Sequence, residues 1–205
     1  TQDTTGTVLS RCDRRVTRAE LEAIAEVCCR RNVYVIADEI YCNLVYDNNE
    51  FVSFASLSED AKNHTLALYA PSKTFNLAGL VGSYHIAYSP WIRDRMEKEC
   101  SLSHYDSMNV LSMHALIAAY SPEGSEWADE LCAVLAGNID FACNYIKTRF
   151  DGVEVTKPEG TYILFADCTK WCEAHGKTID DVERACWDVG VAVQDGRQFH
   201  GPCHI

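Results

Sequence analysis

The sequence predicts an α/β fold followed by a smaller α+β unit. Three observations carry this. A capped amphipathic helix feeds a β-branched apolar run at 33–37, a second apolar run stands at 65–68, and a long helical stretch after Pro122 gives way to short mixed elements. Helix then strand, repeated, is α/β organisation.

Thr17-Arg18-Ala19-Glu20 is a capping box, with Leu21, Ile24, Ala25 and Cys28 at helical spacing behind it. The helix is expected to end near Arg31. Val33-Tyr34-Val35-Ile36-Ala37 then reads as a parallel strand buried on both faces, delivering Asp38-Glu39-Ile40-Tyr41 at its carboxyl end. A polar turn follows around Asp47-Asn48-Asn49-Glu50, with no chemistry assigned to it. Thr65 to Leu68 is the next buried strand, broken by Pro71, and Gly82 to Tyr88 is another.

Pro90 to about Leu102 reads as a charged helix, and Met108, Leu111, Ala115 and Ala119 as the core face of the next. Pro122-Glu123-Gly124-Ser125 punctuates the chain and marks a boundary. A helix with Trp127, Leu131, Leu135, Ala142 and Ile146 on one face follows and ends near Arg149. Val153-Glu154-Val155, Thr161 to Ala166, a helix capped by Thr178, and Val191 to Val193 read as a small α+β unit. The expected organisation is 1–121, a linking helix over 122–150, and 151–205.

Composition narrows the functional classes. With 205 residues and 47% hydrophobic content the chain can bury a substantial core. A net charge of −12 argues against nucleic acid or an anionic membrane as partner, since phosphate binding needs basic patches. No apolar run reaches the length of a membrane span, and no signal peptide opens the chain. The eleven cysteines are scattered through helices and strands, and most read as small buried apolar residues in a reducing cytoplasm. No C-x-x-C pair suggests a structural zinc; Cys168, Cys172 and His175 come nearest and read as incidental.

The chemistry is concentrated in Tyr69-Ala70-Pro71-Ser72-Lys73-Thr74-Phe75-Asn76. A lysine on a loop at the end of a buried strand is poorly solvated, which favours the neutral, nucleophilic amine. The plain alternative is a solvated surface lysine. Asp38 stands where open α/β sheets collect ligands, and a carboxylate ending an apolar run needs a partner. A lysine paired with an aspartate on a ring nitrogen is the signature of pyridoxal phosphate. The plain alternative for Asp38 is a helix cap.

Taken together, A-D-E-I-Y at 37–41 and A-P-S-K-T-F-N at 70–76 resemble the fold-type I, class I/II aminotransferase family, closest to its cystathionine β-lyase (C–S β-lyase) branch. Thr5 to Ser10 resembles the tail of the family's Asn-Pro-x-Asn-Pro-x-Gly loop. Val191 to Phe199 resembles the strand and loop before its substrate-carboxylate arginine.

The resemblance implies a partial large cofactor-binding domain over 1–121 and a partial small domain over 151–205. It implies that Lys73 holds pyridoxal 5'-phosphate and moves the substrate Cα proton, and that Asp38 keeps the pyridine nitrogen protonated. Tyr41 would hydrogen-bond the cofactor's 3′ oxygen, and Ser72 would contact its phosphate. Core packing is the alternative for Tyr41, and a hydrogen bond within the turn for Ser72. An amino-acid substrate and a homodimer are further implications.

Departures from the family pattern matter too. Asp3 stands where the family has the Asn that donates to the phenolic oxygen, and Thr4 replaces the Pro. An ionised Asp cannot donate. Eight residues past Lys73, where many aminotransferases carry a phosphate-binding Arg, this chain has Val81, which points to the lyase branch. The chain stops at Cys203-His204-Ile205, before the substrate-carboxylate Arg, and the glycine-rich phosphate contacts do not precede it. The expectation is an internal fragment of a C–S β-lyase, with an aminotransferase as the alternative and an inactive fragment or binding module as the second.

Overall fold

A computed structural model describes residues 16–47, 49–103 and 107–205. These divide into two compact units, with the division between Cys132 and Ala133. Each unit is described by itself.

The first unit opens with α1 (Arg18–Arg30), whose Thr17 cap and Glu20 form the expected box. Leu21, Ile24 and Ala25 are the apolar face. Asn32, in the left-handed region at φ 52°, turns the chain out of the helix into β1 (Val35–Asp38). β1 pairs in parallel with β2 (Thr65–Tyr69), Val35 beside Thr65 and Asp38 beside Leu68. β2 pairs antiparallel with β3 (Tyr84–Ala87), giving a mixed sheet in the order β1-β2-β3. A 3₁₀ turn at Phe54–Ser56 and α2 (Glu59–Asn63), capped by Ser58, lie between β1 and β2 in the chain. Phe54, Ala25 and Ala61 form a core against Val35, Ala37 and Leu57.

β1 departs from the expectation of burial on both faces. Val35 and Ala37 pack on that core, but Ile36 on the opposite face is 70% exposed. Among the described residues, packed helices cover one face of this strand.

α3 (Pro90–Ser103) is the charged helix the sequence predicts, anchored by Trp91, whose ring stacks on Tyr34 at 4.4 Å. α4 (Val110–Ala119) is capped by Asn109, which accepts from Ser112 N at 2.9 Å and donates to Ser112 Oγ. Of the expected stripe, Met108, Ala115 and Ala119 turn inward, but Leu111 is 71% exposed and Ser112 is buried in its place, with Leu116 half-buried. The Asn109 cap supplies the polar partner that lets Ser112 occupy the core position.

α5 (Pro122–Arg149) begins at the proline itself. The Pro-Glu-Gly-Ser segment is therefore not a linker before the helix but its first turn, with Pro in the position that needs no amide donor. Ser121 Oγ accepts from Gly124 N at 3.1 Å. The inward stripe contains Ala128, Ile139 and Cys143, while Trp127 sits at its exposed margin.

In the second unit β4 (Glu154–Val155) and β5 (Ala166–Asp167) pair antiparallel, and the chain end adds to β5. Ala166 N donates to Ile205 O at 2.9 Å and Cys168 N to Cys203 O at 2.8 Å. α6 (Thr169–His175) and α7 (Ile179–Asp188) follow, the latter with a capping box between Thr178 and Asp181. Cys168, Cys172 and Ile179 form the core with Val153, Trp171, Val182, Cys203 and Ile205. Val191 to Val193 is not the expected strand. Its groups are engaged by α7 instead: Val191 N donates to Cys186 O at 2.8 Å, and Trp187 Nε1 donates to Val193 O at 3.3 Å.

Ten cysteines lie among the described residues, all as free thiols. No helix among the described residues is long and apolar enough to cross a membrane.

Candidate active site

Two neighbouring parallel strands end at one edge of the sheet, and the residues singled out by the sequence sit there. Asp38 is the last residue of β1, in register with Leu68 of β2. Alternation along β1 puts Ile36 and Asp38 on the open face. Asp38 is exposed, so among the described residues burial creates no demand for a partner; its place at the edge, rather than desolvation, marks it. No helix starts at Asp38 either. The chain enters a turn, with Cys42 N donating to Glu39 O at 3.1 Å and Leu44 N to Tyr41 O at 2.9 Å. The capping alternative is thereby removed.

β2 ends at Tyr69, and the loop behind it is tightly wound. Phe75 N donates to Pro71 O at 2.9 Å, and Leu77 N to Ser72 O at 3.1 Å. Asn76 takes the left-handed conformation at φ 52°. Thr74 is fully buried, which anchors the loop, and the two residues before it, Ser72 and Lys73, are half-buried. Phe75 holds the other side, edge-on to Tyr120 at 5.7 Å and stacked near Trp127 at 5.9 Å. The Lys73 ammonium stands over the Tyr41 ring, 5.9 Å from its centroid. The structure thus brings Lys73 and Tyr41 into contact and places Asp38 on the adjoining strand end. Val81 is 79% exposed and adds no cation. Asp3 and the Thr5 to Ser10 segment lie outside the described residues.

Glu39 and Tyr69 add a part-buried hydrogen-bonded pair at this edge. Glu39 follows Asp38 and, by the same alternation, points to the packed face, where it is 8% exposed. Its Oε1 accepts from Phe54 N at 2.9 Å, and its Oε2 accepts from the Tyr69 hydroxyl. Burial, reinforced by the Glu39 bond, pushes the Tyr69 phenol well above its usual range. Burial likewise raises the Cys42 thiol, with the Glu39 charge as a second cause. The period-two pattern of Val35-Ile36-Ala37-Asp38-Glu39 contained this signal: a carboxyl on the packed side must find donors.

In the second unit, Cys168 and Cys172 are packed in the core. His175 stacks on Trp171 at 4.4 Å, and its Nδ1 lies 2.8 Å from the Trp171 carbonyl oxygen.

Residues 14–204 match the family described as aminotransferase class I and II, and the chain belongs to it. It is 29% identical over 189 residues to cystathionine beta-lyase PatB of Bacillus subtilis (strain 168), covering 92% of this chain and 48% of that protein. It is 28% identical over 194 residues to the aspartate aminotransferase of Bacillus sp. (strain YM-2), covering 92% and 48%. Among solved structures, cystalysin from Treponema denticola superposes with a TM-score of 0.82 at 25% identity, over 94% of this chain and 48% of that one; it contains a pyridoxal 5'-phosphate cofactor. The chain spans about half the length of the curated relatives it matches. Its fold is that of the fold-type I enzymes.

The donor set at the sheet edge fits that group. An amine (Lys73), a phenol over which the amine rests (Tyr41), a carboxyl (Asp38) and a hydroxyl (Ser72) are the chemistry needed for an aldehyde, a phenolic oxygen, a ring nitrogen and a phosphate.

Proposed function

We propose that this chain contributes the cofactor-binding edge of a pyridoxal-phosphate-dependent enzyme acting on amino acids, and more specifically of a C–S β-lyase. The observation carrying the first part is Lys73 over Tyr41 beside the Asp38 strand end. Pyridoxal phosphate, when bound, draws electron density from the substrate Cα. Lys73 is its attachment point, and its amine then takes the Cα proton. Asp38 holds the proton on the ring nitrogen, Tyr41 donates to the phenolic oxygen, and Ser72 donates to the phosphate. In the lyase reading the lysine's proton is available to the departing thiolate, and hydrolysis of the remaining fragment yields pyruvate and ammonia.

Val81, where many aminotransferases place a phosphate-binding Arg, supports the lyase reading. The aminotransferase reading stands beside it, because relatives of both kinds match at 29% and 28% identity. In that reading Lys73 would again be the residue that carries the proton, with no leaving group expelled. A homodimer is part of the proposal in either case.

Product analysis tests the choice. The lyase reading expects pyruvate and a free thiol from L-cystathionine with no oxo-acid acceptor. Exchange between an amino acid and a 2-oxo acid without pyruvate release favours the aminotransferase. Neither activity, in protein that carries the cofactor on Lys73, overturns both.

A further inference from the structure

We propose that Glu39 is a positioning residue for this site: its carboxyl group fixes the strand-end register that presents Asp38 and the Lys73 loop together. The inference rests on the cofactor-binding reading above.

Asp38 ends β1 and Glu39 follows it with its amide still paired to Leu68 O, and the two side chains leave opposite faces, Asp38 exposed and Glu39 buried. A slip of one residue would exchange them, turning Asp38 into the packed face and Glu39 to the open edge. The apolar pattern weakly resists that slip, because the strand is short and Ile36 already lies exposed opposite Ala37. Glu39 resists it strongly. One oxygen takes the Phe54 amide at 2.9 Å, and the other takes the Tyr69 hydroxyl, which also lies 3.5 Å from Ser53 Oγ. Its own amide extends the ladder to Leu68 O at 3.0 Å. Three segments meet on this one carboxyl group: the end of β1, the end of β2 and the 53–54 turn.

The link to the lysine is short. Tyr69 is two residues before Pro71, whose carbonyl accepts from Phe75 N, and Lys73 lies inside that turn. The Tyr69 ring is held by stacking on Tyr84 at 5.3 Å. With its ring braced and its hydroxyl tied to Glu39, Tyr69 fixes where the loop departs from β2. An apolar side chain of similar size would avoid the desolvation cost of burying a carboxyl group and often gives equal or greater stability. A polar group retained in such a place is accounted for by the one register it permits.

The test compares Tyr69→Phe, Glu39→Gln and Glu39→Ala with the unaltered chain. Amide hydrogen exchange is followed residue by residue, and borohydride fixation of pyridoxal phosphate is mapped over all lysines. Tyr69→Phe removes one hydrogen bond and keeps the stacked ring, so its fold is expected to survive even if Glu39→Ala does not. We expect Tyr69→Phe to speed exchange at Phe75 and Leu77 by about tenfold while α3 is unchanged, and to lower the share of label on Lys73. Glu39→Gln, which can still accept from Phe54 and donate to Tyr69, should lie between Tyr69→Phe and the unaltered chain. Uniformly faster exchange in Tyr69→Phe, or none at Phe75 and Leu77, overturns the proposal. Diffuse labelling of the unaltered chain instead overturns the cofactor reading, while the exchange pattern still decides whether Glu39 holds the loop.

Discussion

The ammonium of Lys73 rests over the ring of Tyr41, 5.9 Å from its centroid, although the two residues come from the turns after different strands. The parallel pairing of β1 and β2 makes the contact possible by bringing both turns to one edge. A cation over an aromatic face contributes about 0.5–1 kcal/mol when exposed.

That contact yields a graded prediction. The ring stabilises the protonated amine, which must be given up when the cofactor is fixed, so Tyr41→Leu should raise the yield of cofactor fixed on Lys73 at limiting cofactor by roughly two- to fivefold, the factor such an energy implies. Tyr41→Phe keeps the ring and should keep the yield. It removes the donor to the phenolic oxygen, so the pH midpoint of the bound cofactor's visible absorption should rise. Spectrophotometric titration of both variants checks this.

Gly124 sets two effects of opposite sign against each other. In a helix, Gly→Ala ordinarily stabilises by about 1 kcal/mol. Here a Cβ would stand 2.1 Å from the Ala119 carbonyl oxygen and 2.7 Å from its carbon, both backbone atoms that cannot swing away. The clash should win. Gly124→Ala is expected to lower stability by roughly 2–4 kcal/mol, read from the urea midpoint at constant slope.

The core of the second unit should be sensitive to alkali. Burial pushes the Cys168 thiol from 9.0 up to about 12, and the side chain is 2% exposed. From pH 9 upward the unfolded chain releases this proton while the folded chain keeps it, so stability is fully present below about pH 9 and falls as pH climbs towards 12. Cys168→Ala should be somewhat less stable at neutral pH, for lost packing, but its decline between these limits should be shallower. Urea midpoints across the range decide it; parallel declines would contradict the assignment.

Much of this was legible in the sequence where a local signal agreed with the tertiary outcome. Both capping boxes are local hydrogen-bond motifs, and Thr17 and Thr178 stand where the pattern puts them. The two apolar runs ending at Asp38 and Tyr69 are strands because β-branched and apolar residues suit a packed sheet. Leu111 and Trp127 face outward at the margins of stripes that otherwise turn inward, because their bulk fits poorly where the smaller Ser112 and Ala128 pack; hydrophobicity alone does not record that. α6 gave no start signal, since its first cap is Cys168, which makes no side-chain capping bond. Val191 to Val193 has strand composition, but its hydrogen bonds go to the end of α7, a tertiary choice that composition does not record. Glu39 is legible from alternation, which puts the residue after Asp38 on the packed face.

Whether Lys73 is the cofactor's attachment point can be measured directly. The purified chain is incubated with pyridoxal phosphate, reduced with borohydride, digested and mapped. Cofactor is expected on Lys73 above all other lysines, and is expected to be lost in Lys73→Ala. Label spread over surface lysines, or unchanged labelling in Lys73→Ala, would contradict this assignment.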